Sequence, residues 1–240
     1  MLKKSKIVVT GGTGRFAESF KKIKSKYKFI FPSKKKLDIT KIKIIRNYLK
    51  LQKPFALLHL AGLSRPMIEH EKNIGKSIEL NIIGTANIVK ICHELNIKII
   101  YMSTTYVYEG TKGNYKETDP ILPWNNYAWS KLGGESAVQM YKNSLILRAC
   151  VTQKPFVHKK AFTNVKLNFI FHDDLVKIII KLIKKKGIYN IGGKTRTVYE
   201  FARKYNPKIK KVKSSGKMPL NPSVNLLKLN KVLRKRFLNR

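Results

Sequence analysis

The 240-residue chain predicts an α/β fold: a doubly wound parallel sheet with helices on both faces, followed by a small C-terminal lobe. Two observations predict it. Short apolar runs of strand length alternate with amphipathic stretches of helix length, and a glycine turn, Gly11-Gly12-Thr13-Gly14, stands at the first strand-to-helix junction. Repeated alternation of this kind needs crossover helices, and hence parallel strands buried on both faces.

Taken in order, residues 6–10 form the first buried strand; three apolar residues behind the leading lysines are too few for a secretory signal. A helix is expected over 16–24, a strand at 28–31, a helix near 43–51 and a buried strand at 56–60. Residues 77–94 carry one long helical period, and 98–102 is another buried strand. A Gly-, Asn- and Pro-rich loop at 109–126 leads to a helix over 127–141 and a strand at 144–147. A helix at 173–185, a short strand at 188–191 and a Pro-, Ser- and Lys-rich loop at 206–223 complete the pattern. The expected division is a dinucleotide-binding domain over 1–150 and a small lobe over 151–240, with about 170–192 returning to the main sheet.

Composition excludes several classes. Apolar residues at 43% argue against disorder, and no apolar run approaches the roughly 18 residues of a membrane span. Cys92 and Cys150 have neither metal-ligand spacing nor a disulfide framework, so buried thiols in a reducing cytoplasm are expected. The 51 Lys and Arg against 13 Asp and Glu give a net charge of +38. These lysines spread along the whole chain, without a zinc finger, RNP-like strand or basic heptad region, and so read as compositional drift rather than a nucleic-acid footprint. Attraction of anionic cofactor and substrate is a secondary consequence.

The turn Thr10-Gly11-Gly12-Thr13-Gly14-Arg15-Phe16-Ala17 follows the first strand and opens the first helix. A pyrophosphate needs glycine there, because backbone N–H groups and a helix N-terminus must come close to it. Gly11, Gly14, Arg15, Phe16 and Ala17 are therefore candidate cofactor contacts in a Rossmann-type sheet. After the second strand, Phe31-Pro32-Ser33-Lys34-Lys35-Lys36 offers hydroxyl and ammonium groups and no carboxylate before Asp38, which favours NADP over NAD.

Tyr127 and Lys131 stand at i and i+4 on one helix face, where an ammonium lowers a phenol's pKa towards the useful range. That spacing also arises by chance in a lysine-rich chain. Placement strengthens it: the strand at 98–102 ends in Ser103-Thr104-Thr105-Tyr106, at the edge where open α/β sheets bind ligands.

Gly11-x-x-Gly14-x-x-Ala17, Leu37-Asp38-Ile39-Thr40, His59-Leu60-Ala61-Gly62, Asn81-Ile82-Ile83-Gly84-Thr85, Ser103-Thr104-Thr105-Tyr106-Val107-Tyr108-Glu109-Gly110, Tyr127–Lys131 and Glu135 follow one another in this order. Together they resemble the extended short-chain dehydrogenase/reductases, the NAD-dependent epimerase/dehydratase superfamily, and within it the dTDP-4-dehydrorhamnose reductase family. The resemblance covers most of 6–150 and continues weakly through 171–175 and 187–193. It implies that Asp38 and Ile39 contact the adenine, and that Ala61, Gly62 and Leu63 line the cofactor. By the same resemblance Asn81 holds the active-site helix, Thr104 binds the substrate oxygen beside Thr105, Tyr127 moves the proton and Lys131 holds the nicotinamide ribose. The implied reaction is NADPH-dependent reduction of a 4-keto nucleotide-diphospho-sugar, and a homodimer is compatible with it.

Two departures stand out: Thr105 occupies a position where the family has aspartate, and the segment between Arg148 and Asp173 is short. An NAD-retaining epimerase or dehydratase stays open, with Glu109 and Asp119 as unplaced extra acids or bases, as does a non-catalytic dinucleotide-binding or RNA-associated protein. His59 reads equally as a cofactor-facing or a core histidine. His172-Asp173-Asp174 reads as a helix start rather than a metal cluster. Trp124, Trp129 and Tyr106 are stacking candidates, with core or pocket-wall packing the default for Trp129, and Arg148 is a candidate diphosphate contact at a strand end.

Overall fold

A computed structural model describes residues 4–156, 158–216 and 218–234. The chain divides into two units, Met1–Ser103 with Asn125–Ile146 and Leu182–Gly187, and Thr104–Trp124 with Leu147–Lys181 and Ile188–Arg240.

In the first unit, β1 (Lys6–Thr10) is central because Ile7, Val8 and Val9 are wholly buried. The chain then forms α1 (Arg15–Lys21), β2 (Lys28–Ile30), α2 (Ile42–Gln52) and β3 (Ala56–His59). Strands β2 and β3 flank β1, both parallel to it, with Val8 opposite Ile30 on one side and Leu57 on the other. Helix α2 buries Ile45 and Leu49, one turn apart, and ends at Lys53 in the left-handed conformation. Next come α3 (Ile68–Lys72), α4 (Ile74–Ser77), a π-helical turn at Ile78–Ile83 and α5 (Gly84–Glu94). Strand β4 (Lys98–Thr104) pairs in parallel with β3, and α6 (Asn126–Gln139) leads to β5 (Ser144–Thr152), which begins in this unit. The order β2-β1-β3-β4 reverses its winding between β1 and β3, and doubly wound sheets bind ligands beyond the carboxyl ends at such a point.

The helix expected over 77–94 is present without a break, but it is not α-helical throughout. It widens into a π turn around Asn81, whose buried side chain is committed to partners outside the helix. Just after the turn Gly84 packs closely, since a Cβ there would lie 2.7 Å from Ile39 Cδ1 and that side chain would have to shift. Helix α1 also stops at Lys21, short of the expected end.

In the second unit, β5 runs on to Thr152, past the expected end at 147, and pairs in parallel with β8 (Phe169–Phe171), which follows β6 (Lys160–Phe162) and β7 (Lys166–Leu167). Helix α7 (His172–Leu182) starts with Asp173 and Asp174 in its first turn, where carboxylates complement the helix dipole. Strand β9 (Gly187–Ile191) pairs with β5. The chain finishes with β10 (Arg196–Thr197), α8 (Val198–Arg203), β11 (Lys210–Val212) and α9 (Leu227–Arg234). Ribbons β6–β11 and β7–β10 close a lobe over Phe156, Val165, Leu167, Phe201 and Ile209, with the Phe201 ring 5.0 Å from Phe169 and 5.2 Å from Phe171. Strand β11 lies within the expected loop at 206–223; two- and three-residue strands carry too little periodicity to show.

The outcome is the expected α/β architecture, a parallel central sheet with flanking helices. Cys92 and Cys150 are both buried, and burial raises the Cys92 pKa further from reactivity. Among the described residues no helix is long and apolar enough to cross a membrane.

Candidate active site

The turn after β1 is shaped by contacts that only glycine permits. Gly11 has φ of 69°, and a Cβ there would stand 2.9 Å from the Ala61 nitrogen; at Gly12 it would stand 2.8 Å from Phe31 Cα. Gly14 N–H donates to the Gly11 carbonyl at 2.9 Å, closing the turn, and caps α1 without any side-chain hydrogen bond. Ala17 is buried behind the turn, Phe16 is half-buried and Arg15 exposed. A close-packed backbone loop opening into a helix is the shape a pyrophosphate requires.

Behind it lies a chain of hydrogen bonds. Thr10 Oγ1 lies 2.7 Å from His59 Nδ1 and accepts from the Leu60 and Ala61 N–H groups, both at 3.1 Å. His59 Nε2 meets Thr85 Oγ1 at 3.0 Å. Both ring nitrogens are thus used, and burial, with the Lys131 charge nearby, carries the His59 pKa down to about 3. Of its two sequence readings, the satisfied core histidine is the one observed.

The segment Ala61-Gly62-Leu63 is held by Asn81. Asn81 Oδ1 accepts from the Leu63 N–H at 2.7 Å, and its Nδ2 donates to the Leu63 carbonyl at 2.9 Å and to Ser130 Oγ at 2.8 Å. Ser130 in turn donates to the Tyr127 carbonyl at 2.8 Å. One buried amide therefore ties the loop after β3 to the turn of α6 that carries Tyr127. Asp38 accepts from the Thr40 N–H at 3.0 Å and hydroxyl at 2.9 Å. Burial pushes its carboxyl up, but those bonds with Lys34 and Lys41 bring it below its ordinary value. Ile39 is buried against Gly84, and its carbonyl accepts from Asn87 at 3.2 Å.

Helix α6 starts where Asn125 Oδ1 accepts from the Ala128 N–H at 2.8 Å. Tyr127 is half-buried, while Lys131 is buried with its Nζ 4.2 Å from the centre of the Tyr101 ring. Tyr101 Oη also donates to the Lys131 carbonyl at 3.1 Å. Burial, opposed by Glu135, lowers the Lys131 pKa to about 7, so the amine itself titrates near neutrality. Glu135 accepts from Ser103 Oγ and from Gln139 Nε2 at 3.2 Å. Gly134 lets this helix approach closely, for a Cβ there would meet the Asn81 carbonyl at 2.4 Å. The sequence singled out neither Tyr101 nor Ser130; each sits in a run that reads only as core or helix.

His70 of α3 was equally invisible to motif reasoning. It is wholly buried, its ring lies edge-on to the Tyr127 ring with centroids 5.1 Å apart, and its Nδ1 is 2.7 Å from Ser77 Oγ. Its neighbour Glu71 accepts from Asn126 Nδ2 at 2.6 Å.

Thr104 and Thr105 belong to the second unit. Both are buried; Thr104 Oγ1 accepts from the Tyr106 N–H at 3.2 Å, and Thr105 Oγ1 has no hydrogen-bond partner among the described residues. Tyr106 and Trp124 meet edge-on at 5.8 Å. Two expectations are corrected. Arg148 does not end a strand: it lies inside β5, buried, donating to Tyr108 Oη at 2.8 Å and the Glu117 carbonyl at 3.3 Å, so internal partners occupy it. Trp129 is 50% exposed, which excludes the core position expected for it. Among the described residues no cluster of His, Cys, Asp or Glu is suited to a metal ion.

The model of the RmlD substrate binding domain family matches residues 5–181. Over 192 residues the chain is 27% identical to dTDP-4-dehydrorhamnose reductase of Aggregatibacter actinomycetemcomitans, covering 78% of this chain and 60% of that protein. Over 100 residues it is 34% identical to methionine adenosyltransferase 2 subunit beta of Xenopus laevis, covering 41% of this chain and 30% of that one. The chain thus spans under two thirds of the length of either relative. The crystal structure of dTDP-4-dehydrorhamnose reductase from Bacillus anthracis, in complex with NADP, superimposes with a TM-score of 0.86 over 100% of both chains at 21% identity. At that identity the likeness speaks for the fold.

Proposed function

The chain belongs to the RmlD substrate binding domain family, and on that premise we propose that it is an NADPH-dependent reductase of a 4-keto nucleotide-diphospho-sugar of the dTDP-4-dehydrorhamnose kind. The observation that carries this reading is the Asn81 amide, which joins the Gly62–Leu63 segment to the helix of Tyr127 and Lys131. A cofactor loop and a proton-transfer helix held by one residue serve a single reaction. The reductase relatives and the NADP named with the Bacillus anthracis structure support the same choice.

The residues present fit a dinucleotide. Gly11, Gly12 and Gly14 leave backbone where side chains would intrude, and the start of α1 has no side-chain cap. Gly11, Gly14, Arg15, Phe16 and Ala17 would hold the pyrophosphate; Asp38 and Ile39 the adenine; Ala61, Gly62, Leu63 and Asn81 the wall; Lys131 the ribose. Bound there, NADPH supplies the hydride. Tyr127 gives its phenolic proton to the oxygen of the reduced carbon, and Lys131, when protonated, favours the phenolate left behind. Thr104 is assigned a hydrogen bond to the substrate oxygen, with Thr105 beside it in the chain, on motif order. The division into a dinucleotide-binding region over 1–150 and a substrate lobe over 151–240 belongs to the same proposal, as does a cytoplasmic place of work.

A second reading, dinucleotide binding without turnover, is favoured by the 34% identity over 100 residues to a protein named as a subunit of methionine adenosyltransferase 2. A stoichiometric assay decides. With a panel of 4-keto nucleotide sugars, a reductase consumes one NADPH per sugar reduced. An epimerase or dehydratase changes the sugar with no net consumption, and a binding subunit takes up NADPH and changes nothing.

A further inference from the structure

Buried polar atoms in native proteins nearly always have hydrogen-bond partners, so an orphan beside a reactive group points to a ligand. His70 Nε2 is such an atom: it has no partner among the described residues although the side chain is wholly buried. The other ring nitrogen is locked to Ser77 Oγ at 2.7 Å, which fixes the ring in its plane. That ring stands edge-on to Tyr127 at 5.1 Å, and His70 is also within electrostatic reach of Lys131. It therefore adjoins Tyr127 and feels the charge of Lys131.

We propose that His70 recognises the sugar: its Nε2 hydrogen-bonds a hydroxyl of the sugar held at the Tyr127 phenol. The inference rests on the reductase reading and adds to it a specificity residue. A hydroxyl suits the site whichever tautomer is present. If Ser77 donates to Nδ1, Nε2 carries the proton and donates; if Nδ1 donates to Ser77, Nε2 accepts; a sugar hydroxyl can do either. Burial holds the His70 pKa below its ordinary value, with Glu71 and Glu69 pulling it up and Lys131 down, so a neutral ring is presented.

Two substitutions separate the ring from the nitrogen. His70→Phe keeps an aromatic edge on Tyr127 and removes Nε2; His70→Gln keeps a polar group near Nε2 and removes the ring. At saturating NADPH with a dTDP-4-keto-6-deoxy sugar, His70→Phe is expected to lose roughly tenfold to a hundredfold in kcat/KM. His70→Gln is expected to stay within roughly fivefold of the unaltered chain. NADPH affinity is expected to be unchanged in both. Unaltered kcat/KM in His70→Phe, or equal loss in the two variants, overturns the proposal while leaving the reductase reading intact. An unaltered chain with no turnover overturns both. A second measurement does not depend on variants folding: in the NADPH complex with imidazole-15N-labelled histidine, adding the dTDP-deoxysugar product shifts the His70 Nε2 resonance. A resonance that stays in place also overturns the proposal.

Discussion

Asn81 donates to Ser130 Oγ at 2.8 Å across two helical segments that are 49 residues apart in sequence. The same amide brackets Leu63 through both its N–H and its carbonyl, so three segments meet at one buried side chain. Asn81→Asp replaces the donor with an oxygen facing the Leu63 carbonyl. Its expected cost is roughly 2–4 kcal/mol, since a buried acceptor is left unpaired against another. Thermal unfolding checks it: a drop of roughly 5–15 °C is expected, together with weaker NADPH binding.

Gly62 and Gly187 both have φ values foreign to other residues, 156° and 84°, but their surroundings differ. A Cβ at Gly62 would stand 2.6 Å from Asn81 Oδ1, whereas nothing lies within 4 Å of one at Gly187. Gly62→Ala should cost roughly 2–3 kcal/mol and displace Asn81, against roughly 1 kcal/mol of backbone strain for Gly187→Ala. Denaturant midpoints of the two variants, compared at equal m-value, give the ranking directly.

Lys131 carries a built-in pH signature. Its folded pKa of about 7 lies below its ordinary 10.5, so between these values the unfolded chain binds the extra proton and stability rises with pH. The penalty is therefore fully present below about pH 7 and fades towards 10.5. Lys131→Met should stabilise the fold most at neutral and lower pH, by on the order of a few kcal/mol read from thermal unfolding, and abolish turnover. An equal gain at every pH would speak against a buried, titrating amine.

His59 acts at the acid end. Its folded pKa of about 3 lies below the ordinary 6.5, so its neutral contacts contribute in full above 6.5 and lose ground as pH falls towards 3. About 2 kcal/mol is expected to be lost by about pH 5, where few ordinary carboxylates have yet titrated. His59→Gln should lower stability at neutral pH, through the bonds to Thr10 and Thr85, yet flatten this slope. Unfolding temperatures at a series of pH values measure both.

Local pattern explains what the sequence reveals. Strand–helix alternation, the Gly11–Gly14 turn and the i, i+4 pair Tyr127–Lys131 all lie within a few residues, where periods and turn chemistry are visible. What stays hidden is set by residues far apart in the chain. The π turn at Asn81 depends on Leu63 and Ser130, the closeness of α6 on Gly134 meeting the Asn81 carbonyl, and the burial of Arg148 on Tyr108 and Glu117. Lys131 shows the same limit from another side: its position is legible, but only burial reveals that it titrates near 7.

The most direct test of the central claim is single turnover by Tyr127→Phe, run beside the unaltered chain with NADPH and dTDP-4-dehydrorhamnose. The variant keeps the ring against His70 and removes only the phenolic oxygen. The account predicts that NADPH still binds while hydride consumption slows at least about a hundredfold. Turnover at the unaltered rate would contradict it.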